Sequence, residues 1–157
     1  SLKQKPNDLV GALKLIPKRL LRMYVNAYQS FLWNQTVATY LQENCKIIKE
    51  VNYSLGKFVF INKFQDLKIP LIGFMSQDLE IEKINPIIKL IMEKENISYQ
   101  DFIIKQMPEL SLEGELRPVH IKVKDLVIYK KKSDQVKLNF FLPTGSYATM
   151  VVRKLVT

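Results

Sequence analysis

The sequence is poor in the side chains that most active-site chemistry needs. Its 157 residues include one cysteine, Cys45, and one histidine, His120. No disulfide can close within the chain, and no Cys/His zinc site can be assembled. A reducing, intracellular setting is the expectation. Five glycines and seven prolines, without a repeat, exclude collagen-like and low-complexity chains. No apolar run approaches the length that spans a bilayer. The start, Ser1-Leu2-Lys3-Gln4-Lys5-Pro6, lacks the apolar core of a secretory signal. It also lacks an initiator Met, so the chain is expected to begin inside a longer polypeptide.

What is present describes an ordinary globular chain, 47% hydrophobic and 25% charged. Its length suits one domain, or a domain with an appendage. The net charge is +9. Residues 1–50 carry eight basic and three acidic groups, residues 51–110 seven and eight, and residues 111–157 nine and four. The basic ends are therefore expected to form one surface and the middle a separate lobe. A basic surface points to a polyanion partner, with plain solubility charge as the competing reading.

Hydrophobic spacing outlines the elements. Pro17 suits a helix start, and Leu20, Tyr24, Ala27, Tyr28, Phe31 and Ala38 recur at three- and four-residue intervals. With Leu21, Val25 and Leu32 widening the stripe, the helix is expected to run from Pro17 to about Glu43, buried over most of its girth. Lys46–Tyr53 and Lys57–Asn62 read as strands around the turn Ser54-Leu55-Gly56. Residues 63–80 read as irregular. Asn85-Pro86 predicts a helix cap followed by Pro at the first position. Ser98 and Asp101 form a capping-box pair opening a helix to about Met107, which Pro108 ends. From Gly114 the period becomes two: Val119, Ile121 and Val123 alternate with His120, Lys122 and Lys124. Leu126–Lys130 and Val136–Leu142 follow as strands around Lys131-Lys132-Ser133-Asp134, and Tyr147–Leu155 as a short helix. The fold class is α+β.

Few constellations carry chemistry. His120 has no nominated nucleophile or carboxylate partner and reads as a polar strand residue. Cys45 follows a helix end with no second cysteine. Lys130-Lys131-Lys132 reads as a solvated hairpin tip, with phosphate contact as the sharper alternative. Aromatics gather near cations at both ends: Tyr24, Tyr28, Phe31 and Trp33 near Arg19 and Arg22, and Phe140, Phe141 and Tyr147 near Lys137 and Arg153. Aromatic faces beside cations are what unstacked bases bind, although most such rings belong to cores. Leu142-Pro143-Thr144-Gly145-Ser146-Tyr147-Ala148-Thr149 is a strand end, a turn and a helix start that would expose backbone N–H groups and one ring.

That stretch, continued through Met150-Val151-Val152-Arg153-Lys154-Leu155, resembles the C-terminal signature of the TruD family of RNA pseudouridine synthases, LP-x-G-S-[YF]-A-T and an Arg-containing helix. Leu21-Arg22-Met23-Tyr24-Val25-Asn26-Ala27-Tyr28-Gln29-Ser30-Phe31-Leu32-Trp33-Asn34 resembles a second family segment, in an archaeal or eukaryotic form. Gly114-Glu115-Leu116-Arg117-Pro118 is a weaker third match. The family's nucleophilic aspartate sits in a G-x-K-D-x-x-A-x-T-like motif upstream. Here Lys124-Asp125 lies among Val123, Leu126, Val127 and Ile128, which do not continue that motif. The resemblance thus covers nearly all of this chain but only the C-terminal portion of the family's length.

The resemblance implies a fragment with residues 1–44 as a catalytic-domain helical segment, 45–115 as the family's inserted lobe, and 116–157 as C-terminal strands and helix of the catalytic domain. It implies isomerisation of uridine in RNA, with tRNA the expected substrate, without metal or organic cofactor, in the cytoplasm. It also implies that the missing N-terminal part of the polypeptide is a partner, and that this chain alone is inactive. The target base must leave its stack and enter a pocket. Tyr147 would supply the aromatic face, with Gly145 and Ser146 shaping the turn. Gln29 and Asn34 would face the cleft or lock the helix to it. Lys18, Arg19, Arg22, Arg117, Lys122 and Arg153 would meet RNA phosphates. A non-catalytic RNA-binding module and a structural assembly domain are the rival readings.

Overall fold

A computed structural model describes residues 3, 5–63, 66–79, 81–132 and 134–156. Ser133, in the expected turn, lies outside the described residues. The described residues form four α-helices and three antiparallel strand pairs.

The lead-in holds a short helix that spacing alone missed. α1 spans Leu9–Leu13, and the Asp8 carboxylate accepts from the Gly11 N–H at 2.8 Å. α2 spans Lys18–Asn44, with Pro17 one residue outside it in an extended conformation (φ −52°, ψ 130°) rather than at its first position. Its buried residues are Leu21, Gln29, Leu32, Trp33, Thr36 and Leu41. Tyr24, Ala27 and Tyr28 are exposed. α2 is thus packed along one side, not over most of its girth. Residues 56–61, 68–71 and 85–95 pack against it, and the Tyr28 hydroxyl donates to Glu95 at 3.3 Å.

β1, Ile47–Tyr53, and β2, Gly56–Ile61, form a hairpin in which Tyr53 opposes Gly56. β3, Lys68–Leu71, lies in the stretch expected to be irregular, and pairs with β4, Glu115–Pro118. Pro70 masks the strand signal in sequence, yet a two-stranded ladder accepts it because only one edge needs N–H donors. The Val119 N–H donates to the Leu67 carbonyl at 2.9 Å, and residues 119–123 beyond it are irregular. The alternation read there is therefore not a strand, and His120 does not sit on a strand face.

α3 spans Asn85–Glu95 and ends at Asn96 in the left-handed region (φ 54°). Asn85 is its first residue rather than its cap, and its side chain accepts from the Ile81 N–H at 3.2 Å. The capping box forms: the Ser98 N–H donates to Asp101 Oδ2 at 2.7 Å. It opens only a 3₁₀ turn, Tyr99–Phe102, not a helix to Met107. The Phe102 carbonyl accepts from Leu112, and Ser111 Oγ accepts from the Ile104 N–H, so long-range partners replace the next helical turn.

One core joins α2 to the middle of the chain. Leu32, Ile69, Ile72 and Ile84 are fully buried together, with Trp33, Ile88 and Phe102 beside them. Each fully buried aliphatic side chain contributes about 1.5–3 kcal/mol. Gly114 closes the core's edge at φ 93°, where a side chain would meet Ser76 Oγ and the Leu71 carbonyl.

β5, Lys124–Lys132, and β6, Gln135–Phe141, form a second hairpin. It carries an apolar face: Ile128 opposes Leu138, and Val136 follows on the same side. Ile128 is 55% exposed and Val136 60%. A lone two-stranded ribbon is marginal in water, so this face is under-covered. α4, Ala148–Val156, closes the chain.

Candidate nucleic-acid interface

The two segments carrying the family resemblance meet across a cleft of about 630 Å³. α2 contributes Ser30, Trp33 and Asn34. β2 contributes Lys57 and Phe58, and the end of β4 contributes Arg117. Ser146, Tyr147 and Arg153 come from the last turn and α4. The volume falls in the range of small-ligand sites.

The cleft is basic. Among the described residues lining it are Lys57, Arg117, Arg153 and Lys154, and no aspartate or glutamate. Lys57 pairs with Glu50 at 3.0 Å outside the lining, and the Gln42 amide, followed by that contact, holds the Glu50 carboxyl below the usual carboxylate range. The guanidinium of Arg153 lies 5.2 Å from the Phe58 ring centroid.

The local folding explains the positions. Gly145 takes φ 82°, a left-handed conformation that suits glycine, and the Ser146 N–H donates to the Pro143 carbonyl at 3.2 Å. The turn thus delivers Tyr147 to the cleft mouth, 63% exposed. Trp33 is its opposite: 9% exposed, with its indole Nε1 donating to the Ile69 carbonyl at 3.0 Å. Arg117 lies 4.8 Å from the Trp33 ring centroid and 6.0 Å from that of Tyr147. On the far side, Lys49 Nζ donates to the carbonyls of Arg153 and Lys154 at 3.1 and 3.4 Å, capping the end of α4.

The expected site residues divide. Asn34, Ser146, Tyr147, Arg117 and Arg153 line the cleft. Gln29 does not: it is buried, and its Nε2 donates to the Ile72 carbonyl at 2.9 Å. Lys18 and Arg22 both engage Glu109, Lys18 as a 2.9 Å ion pair and Arg22 through the backbone carbonyl at 3.1 Å. The Lys18 contact lowers the Glu109 carboxyl below its ordinary range. Twelve residues of α2, about 18 Å at ~1.5 Å per residue, separate Arg22 from Asn34. Arg19 and Lys122 are exposed and outside the lining. Asp125 lies within β5 at φ 51°, in a register break, and also outside the lining. Sequence reasoning passed over Trp33 as one aromatic among several, and over Lys57 and Lys154. Only the fold brings β2 to the signature turn.

No helix of the described residues is long and apolar enough to cross a membrane. No group of three or more metal-ligating side chains occurs among them.

The chain is a segmented assembly of helices and two-stranded ladders whose cleft pairs aromatic rings with cations and has no acid among its described lining residues. The family model for tRNA pseudouridine synthase D (TruD) matches residues 1–65 and 42–155. The chain belongs to that family. It is 31% identical over 154 residues to a probable tRNA pseudouridine synthase D of Methanopyrus kandleri, covering 98% of this chain and 37% of that protein. A Nanoarchaeum equitans relative of the same description is 34% identical over 149 residues, covering 94% and 37%. The crystal structure of a protein assigned as tRNA pseudouridine synthase D from Methanosarcina mazei superposes with a TM-score of 0.70 at 22% identity, covering 98% of this chain and 42% of that one. The chain therefore spans about two fifths of the relatives' length, and shares the fold of that part.

Proposed function

We propose that this chain is the RNA-binding, pocket-forming portion of a tRNA pseudouridine synthase, working in the cytoplasm with the rest of a TruD-type polypeptide. The observation that carries the reading is the acid-free cleft between α2 and the signature turn. A base can enter beside Tyr147, with the Asn34 amide for its polar edge and Arg153 and Lys57 for flanking phosphates. Ser146 and Gly145 hold the turn, and Gln29 locks α2 behind it. Lys18, Arg19, Arg22 and Lys122 extend the phosphate contacts away from the cleft.

Detaching uracil from C1′ needs a carboxylate nucleophile, and the cleft has none among its described lining residues. That carboxylate belongs to the complementary segment, which we place against the apolar face of β5–β6. The division at residues 44 and 115 is part of this proposal. Two measurements test it. The chain should bind tRNA with strong salt dependence, losing about 10³ in affinity from 50 to 200 mM salt for six phosphate contacts. It should form no pseudouridine alone, and should form it when mixed with the N-terminal part of a TruD relative. Salt-independent binding, or turnover by the isolated chain, overturns the reading.

A further inference from the structure

Arg117 lies within cation–π reach of both a fixed ring and an exposed one. Trp33, 4.8 Å away, is buried and bonded to Ile69, so its plane is set by the core. Tyr147, 6.0 Å away, projects into the cleft mouth from the turn that Gly145 makes at φ 82°. At 63% exposed, most of that residue faces solvent, so packing restricts its side-chain conformation only in part. An arginine in a basic cleft is ordinarily read as a phosphate contact. Here its guanidinium is within reach of two aromatic rings, on which a planar group can stack as a lysine ammonium cannot.

We infer that Arg117 is a positioning residue: seated against Trp33, its guanidinium fixes the Tyr147 ring in the place where the target base must stack. The inference rests on the proposed function, since it assigns a task to Tyr147 within it. Physically, a ring ordered before the base arrives spares the complex the loss of that freedom on binding. The order is transmitted from the core outward, from the Ile69 carbonyl through the Trp33 indole and the Arg117 guanidinium to Tyr147.

The test uses the 157-residue chain and a short oligouridylate, followed by the emission of Trp33, its single tryptophan. Arg117→Met should weaken binding about tenfold, the scale of a partly desolvated cation–ring contact. Arg117→Lys, which keeps the charge, should weaken it nearly as much. In both, the slope of log affinity against log salt should stay at the wild-type value. In a Tyr147→Ala background, Arg117→Met should cost nothing further. Rescue by Arg117→Lys overturns the inference, because a phosphate contact needs only charge. A slope smaller by about 0.7 in Arg117→Met overturns it too, being one lost single-strand phosphate contact. So does an undiminished cost in the Tyr147→Ala background. Circular dichroism verifies that each variant is folded, and Arg117→Lys carries the test if Arg117→Met is not. A wild-type chain that binds no oligouridylate overturns the RNA-binding reading itself. Binding by the wild type with any of the three adverse outcomes overturns only the role of Arg117.

Discussion

The Trp33 indole donates to the Ile69 carbonyl at 3.0 Å, so the helix that lines the cleft is fastened to the strand beneath it. Trp33→Phe keeps the apolar contact but leaves that carbonyl without its donor. The expected cost is about 1–3 kcal/mol, read as a lower urea midpoint at unchanged slope.

Gln29 makes the parallel bond to Ile72, 2.9 Å long and buried. Gln29→Met should destabilise the chain by a similar ~1–3 kcal/mol. Its tRNA affinity, measured where the variant is fully folded, should match wild type. A specific fall in affinity with stability intact would instead return Gln29 to the base-binding group.

Gly114→Ala should be severely destabilising. The position combines φ 93° with Ser76 Oγ and the Leu71 carbonyl in the way of a Cβ, and Ser76 is itself bonded to the Gly73 N–H and the Leu71 carbonyl. A loss above about 4 kcal/mol, or failure to fold, is the expected outcome. A thermal melt compared with Gly145→Ala, whose Cβ meets no atom within 4 Å, separates strain alone from strain plus collision.

Acid should weaken the fold through the Ser98–Asp101 box. The Ser98 backbone N–H, and then its hydroxyl, hold the Asp101 carboxyl below the ordinary aspartate range. A carboxyl lowered in the folded state stabilises above its unfolded value, near pH 4, and loses that contribution as pH falls through the folded value. Asp101→Asn should flatten the stability profile over that acidic interval and leave its shape above pH 6 unchanged. A urea midpoint series across pH checks both arms.

Local signals were legible where a residue acts on its neighbours. The α2 span, both hairpins, the capping box and the signature turn follow from spacing and turn chemistry within a few residues. β3 was hidden because Pro70 obscures its pattern and its partner, Glu115–Pro118, is distant in sequence. The helix expected to reach Met107 fails because the Phe102 carbonyl is taken by Leu112, a preference that no local window contains. In the cleft, Tyr147 could be named from its motif. The contact of Arg117 with both Trp33 and Tyr147 could not, since it depends on β4 pairing with β3 beneath α2.

Lys49 decides where this lobe can grow. Its ammonium joins one end of β1 to the last carbonyls of α4, while the other end turns back through exposed Ser54 and Leu55. Residues inserted beside Lys49 would lengthen the path between two anchored points and pull α4, and with it the signature turn, out of line. Residues inserted at the tip lengthen only a solvent loop, at the slow logarithmic cost of loop closure. Within the first hairpin, length variation compatible with an intact cleft is therefore confined to the tip.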